Sequence, residues 1–217
     1  SREAMLAMDP GMRVALIWSG SQGSLFTIVT AMAVVLLAAV GFGLKGSGPY
    51  LTFVSAGLTG LQATDFFAPP RVFYLHGMRV AINPLLYSQW NLVHPWPVFI
   101  AYALILMALA WALAERLEGE RKGHALAYSK DVLGALSAAV GSMILGTVLG
   151  AHWASPTTEL GGYWSWDPIE SASLGIIAVT LAVALVIKFR LGGAWPFGAV
   201  PAFYATLTVG VARIGIG

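Results

Sequence analysis

The sequence predicts an all-α, polytopic transmembrane helical bundle of about six spans with an aromatic loop on its outer face. Composition is the first observation behind this. Apolar residues make up 58% of the 217 residues and charged residues only 10%, too little charge to cover a soluble domain of this size. Spacing is the second: six predominantly apolar runs recur along the chain, and a span needs roughly 20 such residues. The third is the stretch Gly161-Gly162-Tyr163-Trp164-Ser165-Trp166-Asp167-Pro168, dense in indole rings and set between two of those runs. Indoles at a membrane surface serve as interfacial anchors or as a flat platform for a large planar ligand.

The predicted spans, in order, are Ser24–Leu44, Leu51–Phe67, Leu92–Ala114, Val132–Ala151, Ser173–Ile187 and Pro196–Arg213. The second is short and carries Thr52, Ser55, Thr59, Gln62, Thr64 and Asp65, so it is the weakest of the six. The fifth is short as drawn and is expected to start inside the preceding loop. Asp167 followed by Pro168, with Glu170 three residues after Asp167, reads as a helix start: cap, first position and third position. No run has the form of a cleaved signal peptide.

Alternating the spans divides the basic residues into two sets. Lys45, Arg116, Arg121, Lys122, Lys130, Lys188 and Arg190 lie on one side, and Arg2, Arg13, Arg71, Arg79 and Arg213 on the other. The excess of positive charge marks the cytoplasmic side. This places Glu115–Lys130, with His124 as a solvated surface residue, in the cytoplasm. The aromatic loop then falls outside, with the residues 71–94 and the end of the fourth span. Three of the four histidines, His76, His94 and His152, accordingly share the outer face with the aromatic loop. Imidazole ligands beside apolar and aromatic walls are what a haem site requires.

The net charge of +2 is a topology signal and not a nucleic-acid patch. The chain has no cysteine, so it supplies no thiol, thiolate ligand or disulfide. No Ser–His arrangement or phosphate-binding glycine loop points to hydrolysis.

Three blocks resemble a known family. Arg13-Val-Ala-Leu-Ile-Trp18-Ser-Gly-Ser-Gln-Gly23-Ser24-Leu25 is similar to its R-V-A-x-x-W-G-x-H-E-G-S-L. Asn83-Pro84-Leu85-Leu86, seven residues, then His94-Pro95-Trp96-Pro97 is similar to its N-P-L-L-x7-H-P-P. Leu149-Gly150-Ala151-His152-Trp153-Ala154 leading to Leu160 through Leu174 is similar to its segment containing W-G-G-W-W-x-W-D-P-V-E-N-A-S-L. The chain resembles the CcmF-type cytochrome c maturation haem lyase subunit, within the haem-handling superfamily that carries a tryptophan-rich (WWD) loop.

The resemblance implies a membrane haem lyase subunit in c-type cytochrome biogenesis, which receives haem and attaches it covalently to apocytochrome c. It implies His94 as an axial ligand to a b-type haem in transit. Trp153, Gly161, Gly162, Tyr163, Trp164, Trp166 and Asp167 then form the haem platform, and Pro168 and Glu170 cap the loop or contact a partner. A second ligand is expected from a partner chain, with His152 and His76 as the in-chain alternatives. Other catalytic groups are unassigned. Implied partners are a haem chaperone, apocytochrome c, the lipid bilayer, and further lyase subunits carrying the N- and C-terminal parts of the family fold. Residues 1–217 are thus expected to be one membrane domain, the middle part of a CcmF-like protein in the cell membrane, with 152–172 as its outer haem-handling loop.

The chain also departs from the pattern. Ser21-Gln22 replaces a His-Glu pair, and Leu185 stands where the family carries a membrane-embedded histidine that helps bind a second, buried haem. Gly210-Val-Ala-Arg213 resembles a segment that leads to the family's other outer histidine. These departures give weight to an alternative, a non-catalytic structural or haem-holding subunit of another membrane complex that retains this fold.

Overall fold

The computed structural model of the chain describes residues 10–11, 21–43, 47–63, 74–75, 78–79, 89–122, 129–157, 162–189, 200–202 and 204. The helices among them are α1 (Ser21–Gly41), α2 (Ser47–Ala63), α3 (Trp90–Val93), α4 (Pro95–Lys122), α5 (Ser129–Thr157) and α6 (Pro168–Lys188). Between α2 and α3 lies a two-residue antiparallel ladder, β1 (Tyr74–Leu75) against β2 (Met78–Arg79), with Leu75 opposite Met78. The chain is an all-α polytopic membrane protein.

Four stretches of the described residues are long and apolar enough to cross a bilayer, against the six drawn from the sequence: Gly23–Gly41, Trp90–Ala114, Lys130–Ser155 and Pro168–Lys188. The second expected span, Leu51–Phe67, overlaps α2, which has 17 residues, and the last four residues of that span lie outside the described residues. Most of the sixth lies outside the described residues. Of that run, Ala202 is buried and Tyr204 sits against Gly175 of α6, where a side chain in place of the glycine hydrogen would overlap the phenol.

α4 is the central helix. Ala101, Ala103, Ala108, Ala110, Ala112 and Ala114 are all buried along it, with Met107 and Trp111. A helix buried on every side is one surrounded by others, and alanines let those neighbours come close. One core cluster joins it to Met32 of α1, Tyr50 and Val54 of α2, Val132 and Leu136 of α5, and Val183 and Ile187 of α6. A second joins Ala101 and Ile105 to Ala139, Met143, Ile176 and Ala202.

Several hydroxyls in this apolar framework find backbone acceptors, whereas Thr147, Thr180 and the Trp111 indole N–H have none among the described residues. Thr27 and Thr30 donate to the carbonyls of Gly23 and Phe26, and Ser173 to that of Ile169, the i−4 back-bond that suits hydroxyls in lipid. Tyr50, fully buried, donates to the Ala103 carbonyl at 3.1 Å and ties α2 to α4.

Candidate functional site

Three chain segments meet at one end of the bundle: the start of α4, the end of α5, and the loop that leads into α6. α5 runs six residues past Ala151, where the sequence pattern placed the end of the span. His152 and Trp153 therefore sit on its last turns and not beyond them. Pro156, which has no N–H to donate, lies at the close of the helix.

α3 and α4 are nearly one helix. Proline disfavours helix at Pro95 and Pro97, and the residue before a proline usually avoids the α region. His94 is α-helical all the same, at φ −63° and ψ −30°, with its N–H bonded to the Trp90 carbonyl at 2.9 Å. The prolines fall in the first turn of α4, the part of a helix where a missing N–H costs least.

The side chain of His94 completes the same turn: Nδ1 lies 3.1 Å from the Trp90 carbonyl oxygen. A carbonyl only accepts, so Nδ1 carries the hydrogen, and in a neutral imidazole Nε2 keeps its lone pair. That is the tautomer a metal-binding histidine needs, and such an outer hydrogen bond is the usual means of fixing it. The half-buried ring lies flat against Trp153, centroids 5.0 Å apart and planes 11° apart. His152 takes the reciprocal contact, its ring meeting Trp90 edge to face at 4.5 Å and 83°. Each histidine is thus paired with a tryptophan of the opposing segment.

α5 comes this close because of a row of small residues four apart. Ser142 donates to the Pro97 carbonyl at 2.9 Å. A methyl group at Gly146 would lie 2.5 Å from Val98 Cγ2 and 3.1 Å from the Val98 backbone nitrogen. One at Gly150 would touch His94 Cδ2 at 3.6 Å. Small residues at every fourth position allow helices in lipid to approach at backbone distance.

The loop is held by its own carboxylates. Asp167 caps α6, accepting from the N–H groups of Ile169 and Glu170 at 2.7 and 2.8 Å, with Pro168 at the first position. In a capping box Glu170 would reach back to the Asp167 N–H. It reaches further, to the N–H of Ser165 at 2.7 Å and its hydroxyl at 3.2 Å. This path is set by Trp166, whose backbone is left-handed at φ 60°, a conformation costing a non-glycine residue about 1–2 kcal/mol. Gly162, at φ 143°, makes the other turn that only glycine adopts readily.

The result is an outward aromatic surface. Tyr163 is 62% and Trp166 70% exposed, and Trp166 meets Trp164 edge to face at 5.6 Å. Trp164 turns its indole N–H inward, without an acceptor among the described residues. Tyr163 lies near-parallel to His152 at 6.4 Å, which links the loop to the α5 end.

The structure thus gathers His94, His152, Trp153, Tyr163, Trp164, Trp166, Asp167, Pro168 and Glu170 at one end of the bundle. Gly161 and His76 lie outside the described residues. Among the described residues no group of three or more histidines and carboxylates is placed to hold a metal ion. Sequence reasoning missed Trp90, Ser142, Gly146 and Gly150. Their signal was present, as a tryptophan four residues before His94 and a four-residue beat of small side chains ending two residues before His152.

Comparison with known proteins supplies the context. The chain is 26% identical over 75% of its length to the cytochrome c-type biogenesis protein NrfE of Haemophilus influenzae, covering 26% of that protein. It is 28% identical over 82% of its length to the cytochrome c-type biogenesis protein ccl1 of Rhodobacter capsulatus, covering 28% of it. With CcmF of Pseudomonas aeruginosa the identity is 35%, over 51% of the chain and 17% of the relative. The chain is similar to one part of the CcmF-type proteins. It spans about a quarter of the length of the first two relatives. No family model matches the chain, and no solved structure does.

Proposed function

We propose that this chain is a membrane subunit of a cytochrome c haem lyase, receiving haem on its outer face and presenting it for covalent attachment to apocytochrome c. One observation carries the reading: a histidine whose Nδ1 is fixed by a carbonyl, leaving Nε2 to bind iron, stands at the same bundle end as an exposed tryptophan loop. The relatives, all cytochrome c-type biogenesis proteins by name, support the same pathway.

In this reading His94 is an axial ligand to a b-type haem in transit, and Gly161, Gly162, Tyr163, Trp164, Trp166 and Asp167 form the platform. Burial of the macrocycle against the exposed faces of Tyr163 and Trp166 supplies affinity without a charged clamp. Glu170 and the Asp167 cap hold the loop in shape. Attachment adds a thiol across each vinyl group: S–H and C=C are consumed, C–S and C–H are formed, and no electrons are gained or lost. Both thiols belong to the apocytochrome, since this chain has none. A second axial ligand comes from a partner subunit, with His152 and His76 as the in-chain alternatives. Residues 1–217 act as one membrane domain in the cell membrane, with the loop outside and a haem chaperone and further lyase subunits as partners.

A second reading is a haem-holding or structural subunit without an attachment role. It rests on α6, where Leu185 is exposed on the helix surface and no histidine is available for a buried electron-donating haem. Deletion of the gene in its native host separates the two, read as covalent haem in denaturing gels. Loss of haem-stained c-type cytochromes, restored by the wild-type chain and not by His94→Ala, is the expected result. Normal c-type cytochromes in the deletion strain would favour the second reading.

A further inference from the structure

When an imidazole binds iron through Nε2, the iron–nitrogen bond lies in the plane of the ring and along the normal of the macrocycle. The imidazole therefore stands on edge to the macrocycle, and so does any ring parallel to it. Trp153 is such a ring, 11° from the plane of His94 at 5.0 Å. A haem held by His94 cannot lie flat on Trp153 while that stack persists. Trp166 and Tyr163, by contrast, make no ring contact with His94 among the described residues and expose most of their surface.

Three contacts surround the imidazole instead. The Trp90 carbonyl holds Nδ1 at 3.1 Å, Trp153 covers one face, and Gly150 leaves just enough room at the Cδ2 edge for ordinary contact. Rotation about the bond between Cβ and a histidine ring is otherwise soft. We infer that Trp153 is a positioning residue: it sets the rotation of the His94 imidazole about the iron–Nε2 axis and belongs to the ligand's mount, separate from the platform of Tyr163, Trp164 and Trp166. This rests on His94 being an iron ligand, as proposed above. The functional consequence is a ligand whose orientation is fixed before haem arrives, so that each haem is held in the same rotational setting relative to the incoming cysteines.

The imidazole orientation governs the splitting of the iron d orbitals and hence the g-values of low-spin ferric haem, a quantity that a purely structural role leaves alone. The test uses the chain purified with its native partner subunits and compares wild type, Trp153→Ala, Trp153→Phe and His94→Ala. Haem content comes from the pyridine haemochrome and ligand orientation from low-temperature electron paramagnetic resonance. Trp153→Ala is expected to keep its haem while its g-values shift and broaden, and Trp153→Phe to return them toward wild type. Haem loss in Trp153→Ala with unchanged g-values in the remainder would return Trp153 to the platform. Unchanged haem and unchanged g-values would also overturn the inference. Should Trp153→Ala fail to fold, Gly150→Leu crowds the Cδ2 edge and is expected to shift the same g-values, whereas unaltered g-values there contradict the mount. His94→Ala separates the two levels: haem retained with a wild-type spectrum removes the ligand itself, whereas haem lost there with unshifted Trp153→Ala spectra removes only the mount.

Discussion

Asp167 is where the sequence and the structure agree most closely. Its side chain occupies the cap position that Asp-Pro-x-Glu announces, and both hydrogen bonds are short. Asp167→Ala should cost about 1 kcal/mol through the lost cap, with Asp167→Asn keeping most of it. Thermal unfolding in detergent, followed by helical circular dichroism, reads the difference, and equal midpoints for all three proteins would contradict the capping role. The Glu170 bond to Ser165 was not legible, because it depends on the left-handed turn at Trp166, and nothing about a tryptophan signals that conformation. The tautomer of His94 was hidden for a similar reason. It follows from a helical backbone at the residue before a proline, against the local preference.

Among the elements, α5 decides the geometry of the site. The apolar run that marks it as a span was plain, but its length was not, since the pattern loses contrast where His152 and Trp153 begin. The row Ser142, Gly146, Gly150 was visible as letters. It gains meaning only once α4 is known to lie against that face and not another, because α5 also carries Gly134 and Gly141, which face open space. The two kinds of glycine predict opposite signs. Gly146→Ala forces Val98 and the α4 backbone outward and should destabilise by about 1–3 kcal/mol, with Val98→Ala recovering part of the loss. Gly141→Ala meets nothing and should be neutral or up to about 1 kcal/mol stabilising through helix propensity. Denaturant unfolding of the four proteins measures both, and equal effects at Gly146 and Gly141 would contradict the α4–α5 packing.

For the molecule as a whole, the all-α membrane class was set by composition together with the spacing of the apolar runs, and four of the six drawn spans stand in the structure as helices long and apolar enough to cross a bilayer. The charge bias predicts that the aromatic-loop end of the bundle faces outward: Lys130 opens α5 and Lys188 closes α6, at the end away from that loop. The absence of native cysteine makes that orientation directly testable. Tyr163→Cys should react with a membrane-impermeant maleimide in intact cells, and Gly123→Cys only after permeabilisation; the reverse pattern would invert the topology. The central claim is that iron is held by His94 at this end of the bundle. The measurement that tests it most directly is the pyridine haemochrome and optical spectrum of the purified complex, wild type against His94→Ala. Haem present in wild type and lost in the variant is the predicted result, and haem retained with an unchanged spectrum in His94→Ala would contradict it.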